Sequence, residues 1–151
     1  MTNPTLRRGR MSEIGAYYAV TMVTHRHKPY LGNVDQARPV IAELAACKGA
    51  ESLAWVVMPD HVHWLFQLRL GTLSGCVQAM KSRSSRTIRA SAGSCEPLWQ
   101  AGFYDHRLRN DDDLPAQARY IVANPLRRGL VQRIDEYPFW WCRWIRREAD
   151  L

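Results

Sequence analysis

The stretch Ser52-Leu53-Ala54-Trp55-Val56-Val57-Met58-Pro59-Asp60-His61-Val62-His63-Trp64-Leu65-Phe66-Gln67-Leu68 decides the reading of this chain. Two apolar runs, Ser52–Met58 and His61–Leu68, each have the length and composition of a buried strand. The tight Met58-Pro59-Asp60 turn separates them, so together they predict an antiparallel hairpin. Side chains alternate between the two faces of a strand, so His61 and His63 share one face while Val62 points to the other, into the core.

Working outward from the hairpin, Ile14–Thr24 is rich in β-branched and aromatic residues and predicts a strand. Asn33 is placed to cap a helix whose apolar positions Val40, Ile41, Leu44 and Ala45 recur at helical spacing, and Gly49 stops it. Downstream, Leu73 to about Ala90 predicts a second helix with Leu73, Val77, Met80 and Ile88 on its apolar face. Gly93 to Gly102 is a loop, and Phe103–Leu108 a fourth strand. Asp111, Asp112 and Asp113 complement the dipole at the start of a third helix, about Leu114–Asn124, broken by Pro125. The order is β-α-β-β-α-β with one more helix: an α+β ferredoxin-like sandwich whose additional C-terminal helix carries Tyr120. Residues 1–13 read as a basic N-terminal extension, 14–131 as the folded domain, and 132–151 as an Arg- and Trp-rich tail with no assigned element.

A chain of 151 residues suits one domain, and no apolar run approaches the length of a membrane span. Lysine and arginine number 21 against 14 acidic residues, a formal charge of +7 that favours an anionic partner, nucleic acid first. Cys47, Cys76, Cys95 and Cys142 are irregularly spaced with no C-x-x-C pair. They read as reduced thiols filling the core of a cytoplasmic protein, without a zinc site or a disulfide framework.

Two imidazoles on one sheet face lie close enough to act as cis ligands of one metal ion. A random H-x-H is more often a pair of ordinary half-buried histidines, and what raises this pair is its place after the Pro-Asp turn. Tyr120 lies in the third helix with Asn124 four residues on, on the same face. A tyrosine is a nucleophile once its phenol loses its proton. As a bland alternative, Tyr120 is a core aromatic and Asn124 a helix C-cap.

Three blocks carry a resemblance. Met58-Pro59-Asp60-His61-Val62-His63, Leu98–Arg109 (LWQAGFYDHRLR) and Arg119–Val131 (RYIVANPLRRGLV) resemble the ordered signatures of the IS200-like, single-tyrosine HUH transposase family, in particular its REP-associated branch. The likeness runs from about Tyr17 to Val131. Asp60 stands where the family has Asn, and Tyr137-Pro138-Phe139-Trp140-Trp141 follows its ending only in part. The resemblance implies that His61, His63 and Asn124 hold Mg²⁺ or Mn²⁺ and that Tyr120 is the nucleophile. It implies cleavage and rejoining of single-stranded or hairpin DNA with REP-like palindromes through a 5′-phosphotyrosine, by a protein that is nucleoid-associated when bound to DNA.

In that light the face bearing Lys81, Arg83, Arg86 and Arg89 is expected to grip phosphates, although such a face on an arbitrary helix is usually just solvated. Arg107, Arg109, Arg127 and Arg128 flank the expected site as further DNA contacts. Trp99, in a polar loop, is the best candidate to stack on a base. His25 and His27 read as surface histidines. A monomer is favoured over a dimer. The principal rival is a hairpin-binding regulatory or architectural protein without strand transfer.

Overall fold

The hairpin forms as its sequence predicts. In the computed structural model β2 (Ala50–Val57) and β3 (His61–Leu68) pair antiparallel with Val57 opposite Val62, and the Met58 N–H closes the turn on the His61 carbonyl at 2.8 Å. The structure describes residues 11–93, 96–109 and 112–151, so most of the N-terminal extension, Cys95 and Asp111 lie outside it. β1 (Tyr17–Val23) flanks β3 on the other side, antiparallel, with Thr21 opposite His63 and Val23 opposite His61.

The chain passes from β1 to β2 through α1 (Val34–Ala46), which leaves β3 between two mutually parallel strands. The Asn33 side chain accepts from the Gln36 N–H and caps α1. After β3, α2 (Leu73–Ala92) runs to Gly93, whose φ of 65° is the left-handed conformation that ends a helix without steric cost for glycine. β4 (Tyr104–Arg107) then returns to the outer edge of β1. The resulting order β4-β1-β3-β2 is the ferredoxin-like split arrangement expected from the sequence.

The unassigned tail supplies one more strand. β5 (Trp140–Cys142) pairs with β2, giving the order β4-β1-β3-β2-β5. The tail is held by buried Ile134, Tyr137, Cys142 and Ile145. The Tyr137 hydroxyl donates to the Val57 carbonyl at 2.5 Å, and the Arg143 N–H to Leu53 O at 2.9 Å. Its aromatic residues alternate too briefly to announce a strand; only the free edge of β2 makes them one.

Strand alternation sorts the core into two layers. Val62, Trp64, Phe66 and Leu68 of β3 pack with Leu44 of α1 and Leu73, Val77 and Met80 of α2 on one face. Leu65 packs with Ala54 and Val56 of β2 and with Ala118, Ile121 and Val122 of α3 on the other. The third helix is shorter than expected: α3 (Leu114–Val122) ends at Val122, and a separate turn, α4 (Asn124–Arg127), follows. Pro125 therefore opens a helical turn where its missing N–H is not needed, instead of simply breaking one. No helix among the described residues is long and apolar enough to cross a membrane.

Burial pushes the Tyr137 phenol from its ordinary value near 10 up to about 12. The folded state holds this proton more tightly, so its stability is complete below pH 10 and falls as pH rises toward 12. Replacing Tyr137 by Phe is expected to cost about 1 kcal/mol at neutral pH through the lost hydrogen bond, and to flatten that alkaline fall. Denaturant melts of both proteins across the alkaline range check this.

Candidate active site and nucleic-acid interface

His61 and His63 lie on the α3 side of the central strand, with ring centroids 4.8 Å apart and planes at 83°. His61 is buried and His63 half-buried. The His61 Nδ1 lies 2.7 Å from Asp60 Oδ1 and the His63 Nδ1 lies 2.9 Å from Thr21 Oγ1. A carboxylate only accepts, so Asp60 holds a ring proton of His61 on Nδ1 and leaves Nε2 as the atom that could coordinate a metal. This is the arrangement by which an outer carboxylate orients a metal-binding imidazole. The sequence marked Asp60 only as a departure from the family's Asn. Its position immediately before the first histidine, in a tight turn, was the available signal.

Burial lowers the His63 pKa to about 4, with the charges of His61, Arg127 and Arg128 adding to the effect. A neutral ring at physiological pH has a lone pair to give, which fits the donor chemistry of a divalent cation. No three His, Cys, Asp or Glu side chains gather into a metal cluster among the described residues. Two imidazoles alone would leave a bound ion to complete its shell with amide, phosphate or water oxygens. Buried Asn124, at the start of α4, donates its Nδ2 to the Ile121 carbonyl at 3.2 Å, which leaves Oδ1 as the atom that could coordinate a metal.

Tyr120 is turned out of the Ala118–Ile121–Val122 stripe that seats α3 on the sheet, and it is 64% exposed. The Arg127 guanidinium lies 3.8 Å from the centre of its ring and donates to the Tyr120 carbonyl at 2.6 Å. Arg127 and Arg128 also act electrostatically on His63, so the guanidinium that covers the Tyr120 ring lies within charge range of the histidine pair. The structure thus brings His61, His63, Arg127, Arg128 and Tyr120 onto one face. Tyr104 of β4, 47% exposed, lies opposite Thr21 and therefore in the same row as His63. The sequence did not single it out.

The remaining expected DNA contacts divide. Arg86 and Arg89 lie on the outer face of α2 with Ser82 and Ser85. Arg89 and both serines also line an open groove of about 800 Å³ with His25, Arg26 and Gln100. Arg83 faces Glu43 of α1 at 3.9 Å, away from that groove. Arg107 is ion-paired with Glu13, and Arg109 lies beside it at the β4 edge.

Two expectations are corrected. Lys81 is only 8% exposed, and its ammonium donates to the Gln100 and Gly102 carbonyls at 2.7 and 2.8 Å. It ties the loop to α2 instead of meeting phosphate. Trp99 is 7% exposed, with its indole N–H donating to Ser84 Oγ at 3.1 Å, so it is a core residue that shows only an edge to the groove and no ring face for a base to stack on. Lys81 lies on the inner side of α2, where helical spacing aligns positions 81, 84 and 88 with the core, and Trp99 packs against that side through Ser84.

The His25–His27 turn connects the groove to the histidine pair. Arg26 and His27 both have φ of 55°, a left-handed conformation costing a non-glycine residue on the order of 1 kcal/mol. The His25 N–H donates to Leu98 O at 2.9 Å, while His27 Nδ1 lies 3.9 Å from Asp60 Oδ2. His27 is at the surface, as the sequence suggested, but it borders the carboxylate that orients His61.

A family model described as "Transposase IS200 like" matches residues 13–124. The chain is 26% identical over 125 residues to the REP-associated tyrosine transposase of Escherichia coli (strain K12), covering 82% of this chain and 73% of that protein. It is 29% identical over 92 residues to the ISDra2 transposase TnpA of Deinococcus radiodurans, covering 59% of this chain and 66% of the other. A solved structure of a REP-associated tyrosine transposase bound to a REP hairpin superposes with a TM-score of 0.71 at 25% identity. That match spans 93% of this chain and 82% of the other.

The lowered His63 pKa makes the folded state fully stable above the ordinary value of 6.5 and progressively less so as pH falls toward 4. In an NMR titration the His63 ring protons are expected to turn over near pH 4, and Arg127→Met to raise that midpoint. An unshifted midpoint in the variant would remove Arg127 from the neighbourhood of the pair.

Proposed function

The chain belongs to the IS200-like transposase family, and on that footing we propose that it is a metal-dependent single-strand DNA endonuclease and strand transferase. Its proposed substrate is a REP-type palindromic hairpin, cut through a 5′-phosphotyrosine intermediate by a protein acting as a monomer. The observation that carries this reading is the pair of imidazoles 4.8 Å apart on the sheet face that also bears the exposed Tyr120 helix, linked by Arg127. The hairpin in the solved relative belongs to that protein, and its fold likeness supports the same class of substrate here.

Each residue has a task in this reading. The Tyr120 oxygen attacks the scissile phosphorus in line, a P–O bond to Tyr120 forms, and the bond to the 3′ oxygen breaks. The 3′ oxygen leaves as an alcohol, taking up a proton as the phenol gives one to the surrounding solvent. Attack by a 3′-hydroxyl reverses the step, so the bond is exchanged and no nucleotide cofactor is consumed. Arg127 and Arg128 place positive charge beside the anionic oxygens. Mg²⁺ or Mn²⁺ held by His61, His63 and Asn124 would supply Lewis-acid neutralisation of a non-bridging oxygen. Asp60 and Thr21 hold the two rings in orientation.

Strand capture falls to cations set apart from the chemistry. Arg86 and Arg89, with the hydroxyls of Ser82 and Ser85, offer a phosphate-binding stripe on α2. The groove beside it leads through the His25–His27 turn toward Asp60. A single strand fits this path better than a duplex, because the scissile phosphate must enter between α3 and the sheet.

Incubated with a hairpin-bearing single strand and Mn²⁺, the wild type is expected to yield a covalent protein–DNA adduct that Tyr120→Phe does not form. Tyr104→Phe should still form it, and equal cleavage by wild type and Tyr120→Phe would sink the assignment. Chelation should abolish cleavage while leaving binding. Hairpin binding with no adduct under any divalent ion would favour the regulatory, non-catalytic reading. Separately, Arg86→Ala and Arg89→Ala should each weaken binding and reduce the log–log salt slope by about 1, as expected for loss of one phosphate contact. Sedimentation with and without hairpin should show one protein copy, and a stable dimer in both would overturn the monomer.

A further inference from the structure

On the face of the sheet opposite the histidines, the C-terminal end of α1 meets the first turns of α2. Cys47 and Cys76, far apart in sequence, come together there. Both line an open cleft of about 420 Å³ with Glu43, Lys48, Gly49 and Arg83. Cys47 is half-buried and reachable through the cleft, whereas Cys76 is 6% exposed. The Cys76 sulfur packs against the turn that follows Cys47, so closely that a β-carbon added at Gly49 would come within 2.7 Å of it. It also lies 3.9 Å from the Leu70 carbonyl.

We propose that Cys47 and Cys76 form a peroxide-responsive dithiol site, in which Cys47 is the reactive thiol and Cys76 the resolving one. The Cys47 thiolate attacks a hydroperoxide, the O–O bond breaks, and the two-electron oxidation leaves a sulfenic acid on Cys47 and hydroxide or alcohol as the reduced product. The Cys76 sulfur then attacks the Cys47 sulfur. The S–S bond forms, the S–O bond breaks, and the hydroxyl leaves as water with the Cys76 proton. A low-molecular-weight thiol reverses the change by disulfide exchange.

The electrostatic setting favours this division of labour. The adjacent Cys76 thiol holds the Cys47 thiol below its ordinary value. The backbone N–H groups of Gly49 and Ala50 and the Arg83 charge act in the same direction, against the opposing effect of burial. Cys76 is raised by the neighbouring Cys47 and by burial, which favours its protonated form. At Cys142, buried on the other face, burial outweighs the backbone N–H groups of Trp144 and Ile145 and the Arg119 charge, and the thiol is raised. Sequence spacing hides the pair, since Cys47 follows the end of α1, Cys76 lies on α2, and the two make no C-x-x-C signature.

The test treats the full-length protein with hydrogen peroxide and follows intact mass and non-reducing peptide maps. Loss of two hydrogens, with a Cys47–Cys76 cross-linked peptide that a thiol reductant removes, is the expected result. The clip across α1 and α2 should also raise Tm by several degrees. In Cys76→Ala the oxidation should stop at a sulfenic acid on Cys47 that a cyclic dione traps. Cys47→Ser, altered only at a half-exposed position, should fold normally and show neither product. Cross-linking through Cys95 instead, a persistent thiol at Cys47, or a trapped sulfenic acid in the wild type without a disulfide would each overturn the proposal.

Discussion

A strand hydrogen-bonded on both edges cannot slip, because moving it by one residue would exchange its two faces and strand its apolar side chains in the wrong layer. β3 is in that position. Between β1 and β2, it commits Val62, Trp64, Phe66 and Leu68 to the α1–α2 core, and this leaves His61 and His63 on the other side. The two histidines are therefore held in place by the burial of residues that never touch the site. The partner strands complete the effect: Thr21 lies across from His63 and bonds its ring, and the turn at Asp60 bonds the other. Rigid strands and a short turn, not mobile loops, set the geometry of the pair.

The opposite face of the site is built by a helix and the turn that follows it. α3 is seated by only three buried side chains, Ala118, Ile121 and Val122, and α4 begins one residue after its end. Tyr120 is an exposed aromatic on that helix, and Arg127 returns from α4 to cover its ring. Positive charge is thereby placed on the Tyr120 ring and within electrostatic reach of His63. Such an arrangement is suited to an anionic substrate, whose arrival would neutralise charges that otherwise oppose each other. The protein's excess of cations matters less than this placement.

The order of strands and helices was legible because the apolar patterns change period where the elements change, and the H-x-H face followed from the alternation of strand side chains. What escaped sequence reading depended on tertiary contacts. Lys81 and Trp99 sit in segments whose neighbours are polar, and only the docking of the 97–102 loop on α2 shows them to be internal. β5 exists because β2 offers an unpaired edge, a property no local window contains. The end of α3 was blurred because Pro125 is compatible both with stopping a helix and with starting one. The role of Asp60 needed the ring it bonds, and the neighbourhood of Cys47 and Cys76 needed the packing of two helices.

The internal ammonium of Lys81 has a consequence for recognition. By bonding two carbonyls of the loop from one position on α2, it fastens the two walls of the basic groove to each other. An ordinary polar loop would have to be ordered when a strand arrives, and that loss of freedom would subtract from affinity. Here the loss is incurred when the chain folds. A strand bound there would meet a surface whose shape is already decided, so discrimination between ligands would rest on how well each fits that shape and less on how readily the protein can adjust.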